Sequence, residues 1–117
     1  MNILIKLKKI ENAKVEVLLD EFQNYSTYKN SMILNENRMS DNFLSELLLV
    51  DVATILFAKF KDKLEKVSGK HYNINLRIHE AIVLLEVCNF KNPHRNDFVN
   101  YTMQSISTII MQEIINL

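Results

Sequence analysis

Gly69 and Pro93 are the only glycine and the only proline in a chain of 117 residues. At average usage a chain this long would carry about eight glycines and about six prolines. The residue that enters left-handed backbone most easily and the residue that stops a helix most sharply are therefore almost absent. This excludes a glycine-rich phosphate loop and a dinucleotide-binding fingerprint, and it argues against a turn-dense β-sandwich. What remains is a fold of few, long elements, with punctuation left mostly to Asn and Ser.

The rest of the composition is that of a globular chain. Apolar residues make up 48% and charged residues 24%, enough for one domain, residues 1–117, to bury a core without disulfides. Cys88 is the only cysteine, so no intramolecular disulfide or multi-cysteine zinc site can form, and a reducing, cytoplasmic setting is expected. The first residues carry apolar side chains followed by Lys6, Lys8 and Lys9, the reverse of a secretory signal, so none is expected. No uncharged apolar stretch is long enough for a membrane-spanning helix. Fourteen Lys and Arg balance fourteen Asp and Glu, so any polyanionic partner would have to use a local patch.

Hydrophobic periodicity predicts an all-α chain, a four-helix bundle or a close variant, with helices over about 2–28, 41–67, 78–90 and 96–116. In the first, Ile3, Leu4, Leu7, Ile10, Val15, Leu18, Phe22 and Tyr25 fall within an arc of about 140° at 100° per residue. The alternation of Ile3, Ile5 and Leu7 also fits a short strand, but the stripe continues for six turns and favours helix. Residues 29–40 break the period and read as a loop, with Ser40 as N-cap of the second helix. The first half of that helix is apolar all round and is expected to be buried on several sides. Gly69 suits a left-handed cap after it. Tyr72, Ile74 and Leu76 alternate, so residues 72–77 are expected to be extended. The third helix should bury Ile78, Ala81, Ile82, Leu85 and Cys88. Asn92-Pro93 separates it from the fourth, whose stripe is Val99, Met103, Ile106, Ile110, Ile114 and Leu117.

Three features point toward function. Between Asp97 and Glu113 the fourth helix has no charged residue, and its outward side is expected to carry Tyr101, Gln104, Ser105, Thr108 and Gln112. A solvated helix face normally carries Lys and Glu, whereas an uncharged face with an aromatic resembles a protein interface. Asp51 sits at the centre of a stripe formed by Leu44, Leu47, Leu48, Ile55 and Ala58. If buried there it must be paired or line a ligand site, since an isolated buried charge is strongly unfavourable. Lys59, Lys63, Lys66 and Lys70 follow one side of the second helix if it extends that far. Residues 59–77 hold six Lys and Arg against two acids, a stripe that could neutralise phosphates.

Catalytic and metal signatures are missing. His79 and Glu86 share a face but lie about 10.5 Å apart along the axis, too far for one metal without other helices. No His-Glu-x-x-His or Glu-x-x-His pattern occurs. Cys88 lies on the expected core stripe, where an inert thiol is the expectation. His94-Arg95 beside Pro93 reads as a capping pair. The expected function is thus a non-enzymatic protein-interaction module, with no cofactor or metal, binding another protein or a second copy of itself through the fourth helix. The alternative is nucleic-acid binding through the lysine stripe. A third reading places a ligand or catalytic site at Asp51, with His79, Glu80 or Glu86 nearby.

Overall fold

A computed structural model describes residues 3–34, 41–66 and 69–117. The order of elements is β1 (Leu4–Glu11), α1 (Asn12–Ile33), α2 (Asp41–Lys66), β2 (His71–Arg77), α3 (Ile78–Asn89) and α4 (Asp97–Ile115). Among the described residues the fold is mostly helical, with four helices, but it is not all-α. The two strands form an antiparallel sheet whose members flank the α1–α2 pair in sequence.

The expected first helix is therefore corrected: its first eight or so residues are a strand. The register pairs Leu4 with Arg77, Ile5 with Leu76, Lys6 with Asn75 and Leu7 with Ile74, then resumes with Ile10 opposite Tyr72. Between Leu7 and Ile10 the strand bulges. Lys9 takes φ 55°, the only positive φ at a non-glycine residue among those described, and its N–H donates to Asn73 Oδ1 at 2.9 Å. A bulge adds one residue to a strand. It turns the period of two that follows Ile5 and Leu7 into a step of three that still brings Ile10 inward, where all three are buried. A step of three is also the helical step, which is why the stripe read as helix.

Position 71 joins the extended segment, and β2 alternates as expected. Tyr72, Ile74 and Leu76 are buried, while His71, Asn73, Asn75 and Arg77 are exposed. A two-stranded ribbon is marginal alone in water. Here its inner face is covered by helices, with α1, α3 and α4 in contact with β1 and α3 with β2. The Asn12 N–H donates to Lys70 O at 3.1 Å, which extends the ladder into the start of α1.

Helix α1 runs five residues past the expected end. Lys29 is held there by Glu46 of α2, Nζ to Oε2 2.8 Å, and it lies near the faces of both Tyr25 and Tyr28. Ser40, the expected N-cap of α2, lies outside the described residues, as does Val67. Gly69 does not adopt a left-handed conformation, so the predicted cap is not seen. Asn96 does cap α4, its Oδ1 accepting from the Val99 N–H at 2.8 Å.

The core lies where α1, α2, α3 and α4 meet the inner face of the sheet. Phe22 meets Phe60 edge-to-face at 5.4 Å, and Tyr25 meets Phe90 at 5.3 Å. In α4, Met103, Ile106 and Ile110 are buried as expected, but Leu117 is exposed. In α3 the buried face is rotated from the expected one. Ala81 and Cys88 are inside, joined by Val83, Leu84 and Val87, while Ile82 is exposed. The helix is apolar on nearly every side, so periodicity did not select the face, and packing between α2 and α4 does.

Candidate functional site

The outward face of α4 follows from its phase. With Thr102, Met103, Ile106 and Ile110 buried, the opposite side of a helix of 3.6 residues per turn presents Tyr101, Gln104, Thr108, Met111 and Ile115. All five are exposed, as are Phe98 and Gln112, and Ser105 is half-buried. Tyr101 keeps 62% of its surface in water and Ile115 73%. The Lys14 ammonium of α1 stands 5.5 Å from the Tyr101 ring centroid, a cation–π distance. Thr108 Oγ1 donates back to Gln104 O at 2.9 Å. The face thus offers two aromatics, two long aliphatic side chains and two amides; α4 itself contributes no charge to it between Phe98 and Gln112, with Asp97 one turn before Tyr101 and the Lys14 ammonium over the ring.

Helix α2 overturns an expectation. Its first half is not buried on several sides. Leu44, Leu47, Leu48 and Ile55 are exposed, Leu48 at 63%, and so are Asp51 and Ala58. The core takes only one side, through Val52, Ala53, Leu56 and Phe60. Asp51 is consequently in water. It has no desolvation penalty to offset, needs no partner, and is not the buried carboxylate its neighbours suggested. Of the residues named with it, His79 and Glu86 are exposed, and Glu80 is engaged by the Arg77 N–H and Lys59.

The lysine stripe divides. Lys59, Lys63 and Lys66 are on α2, whereas Lys70 lies in the bend before β2. Lys59 Nζ reaches Asn75 O at 2.5 Å and Glu80 Oε1 at 3.3 Å. Glu80 Oε1 also accepts the Arg77 N–H at 2.8 Å, fixing the step from β2 into α3. Lys66 pairs with Asp62 at 3.0 Å, one turn back. Two of the four cations are thus already matched by acids.

One polar cluster was missed. Glu21 of α1 is buried and accepts from Arg95 Nε at 3.2 Å and Nη2 at 3.0 Å, with Asn92 Nδ2 at 3.4 Å from both of its oxygens. The same guanidinium donates to Val87 O and Cys88 O, each at 2.8 Å, and lies over the Phe90 ring. Arg95 therefore caps the C-terminal end of α3, as the capping reading anticipated, and ties it to α1. The cluster borders a groove of about 440 Å³ that is also lined by Asp20, Asn24, Tyr28 and His94. Both oxygens of Glu21 are engaged, so it is equipped to hold the α3–α4 connection rather than to move a proton. Glu21 carries no sequence signal because its partner lies 74 residues away.

The remaining buried titratable groups are quiet. Burial pushes the Cys88 thiol up to about 12, against a smaller opposing pull from Arg95, so it is a poor nucleophile near neutral pH. Burial, then the nearby Glu86 and Glu46 carboxylates, raises the Tyr25 phenol. Among the described residues no three His, Cys, Asp or Glu side chains converge as a metal site would require, and no helix is long and apolar enough to cross a membrane. No protein-family model, curated protein or solved structure matches the chain.

Proposed function

We propose that this chain is a non-enzymatic interaction module that binds another protein through the outer face of α4. The observation that carries the reading is the exposure, on one face of α4 that has no charged residue of its own between Phe98 and Gln112, of Phe98, Tyr101, Met111 and Ile115. Aromatic and long aliphatic side chains without charge are what the buried centre of a protein interface is made of. In such a contact Tyr101 and Ile115 are the anchors. Gln104 and Gln112 set register by hydrogen bonding, and Ser105 and Thr108 let the partner approach closely. A second copy of the chain is the first partner to test, because two such faces require no charge matching. The same proposal places the protein in a reducing, cytoplasmic setting, where the lone buried thiol of Cys88 needs no partner.

The test is sedimentation equilibrium over a hundredfold concentration range, with a photo-crosslinking residue in place of Gln104. The reading expects reversible association that Ile115→Lys weakens at least tenfold, and crosslinks that map to α4 of the second copy or to one defined partner. A strict monomer that crosslinks to nothing in its native extract would end it.

A further inference from the structure

The sheet has two unlike faces. Its inner face is apolar and covered. Its outer face is open to water and carries Lys6, Lys8 and Lys9 from β1 with His71, Asn75 and Arg77 from β2. Glu11 is the only acid in either strand. In a chain with no net charge, that is a marked local excess. The described ion pairs draw on Lys29, Lys59, Lys61, Lys66 and Arg95, so the sheet's cations are left unmatched by them. The bulge contributes directly. With its extra residue, Lys8 and Lys9 are both exposed while Ile10 still turns inward, and Asn73 holds that geometry through the Lys9 N–H.

We propose that this outer face is a binding site for double-stranded DNA, lying as a two-stranded ribbon in the major groove. A groove about 12 Å wide admits an antiparallel ribbon of two strands about 4.8 Å apart. Outward residues on one strand recur every ~6.7 Å, twice the 3.4 Å step of the duplex. Lys6 and Lys8 therefore keep pace with the nucleic acid on one side and Asn75 and Arg77 on the other. Lys and Arg supply phosphate neutralisation and donors for guanine edges, and the Asn75 amide has the donor and acceptor that an adenine edge requires. The site is independent of the α4 face and uses only one member of the residue 59–77 basic run that faces outward from β2 at its end, Arg77, rather than the lysines of α2.

The test is fluorescence anisotropy with the full chain and a labelled duplex of about 24 base pairs. Four phosphate contacts predict an affinity that falls about a hundredfold between about 50 and about 200 mM salt. Lys6→Gln with Lys8→Gln lowers the slope of log affinity against log salt by about two, with circular dichroism confirming an unchanged fold. Lys63→Gln with Lys66→Gln, on α2, leaves the slope as it was. No binding at about 50 mM salt overturns the proposal, and so does an unaltered slope in the Lys6 and Lys8 variant. Tighter binding to single-stranded RNA of the same length, or to vesicles of anionic phospholipid, overturns it in favour of those partners.

Discussion

The outer faces of α2 and α4 are both long, exposed and apolar, yet they differ at the centre. On α2, Leu44, Leu48 and Ile55 surround a carboxylate, Asp51, whereas the corresponding stretch of α4 runs from Phe98 to Ile115 without a charge until Glu113. A charge in the middle of an apolar stripe must be desolvated by anything that covers the stripe, and that is unfavourable unless the partner supplies an opposite charge. Two copies meeting symmetrically through α2 would bring their Asp51 side chains together. The lesson is that exposed apolar area alone does not mark an interface. A carboxylate in the middle of a leucine-rich face raises the cost of covering it, and no such group stands in the middle of the α4 face.

The largest effect should come from testing whether the outer faces are outside at all. Leu56→Ala, on the buried side of α2, is expected to destabilise the fold by about 2–5 kcal/mol, while Leu48→Ala on the exposed side changes it by no more than about 0.5 kcal/mol. Urea denaturation of the two variants reads the difference, and equal losses would mean that the α2 stripe is covered. Next, Asp51→Leu should turn the α2 stripe into a self-associating surface, with an apparent association at least tenfold tighter than the parent, about 1.4 kcal/mol, by sedimentation. A variant that stays as dispersed as its parent would remove the guarding role of the carboxylate. The converse change, Thr108→Asp, places a charge in the middle of the α4 face and should weaken any α4 contact by a similar factor without moving the thermal midpoint by more than a degree or two. The smallest effect is expected from Lys14→Ala, which removes the ammonium over Tyr101. A stability change of about 0.5 kcal/mol with association intact would separate that intramolecular contact from the interface.

The same two helices show how much was legible. The phase of α4 could be read because Gln104, Thr108 and Gln112 mark its outer side opposite Met103, Ile106 and Ile110, although Phe98, Met111 and Ile115 are also exposed, and Asn96 was a recognisable cap. The phase of α2 could not be read from its first half, where leucines surround the axis and neither side is marked as outer. Which side takes the core is settled by Phe22 and its neighbours on α1, far away in sequence. The strand at the N-terminus was hidden by the bulge at Lys8 and Lys9, since its step of three between Leu7 and Ile10 imitates a helix. Pairing with residues 71–77 is a long-range fact that no local window contains. The Glu21–Arg95 tie failed to appear for the same reason: each residue alone looks like an ordinary surface charge.

The ladder between β1 and β2 has a kinetic consequence. Its strands are separated by the whole of α1 and α2, so the ladder cannot zip from a tight turn as a hairpin does. Closing so long a loop is entropically unfavourable until the intervening helices have folded back on each other. The α1–α2 pair, joined by Lys29–Glu46 and Phe22–Phe60, is therefore the element expected to form first. The sheet should close late, as a clasp over a hairpin already made. Mutations in the clasp, such as Ile5→Ala or Ile74→Ala, should then speed unfolding much more than they slow folding.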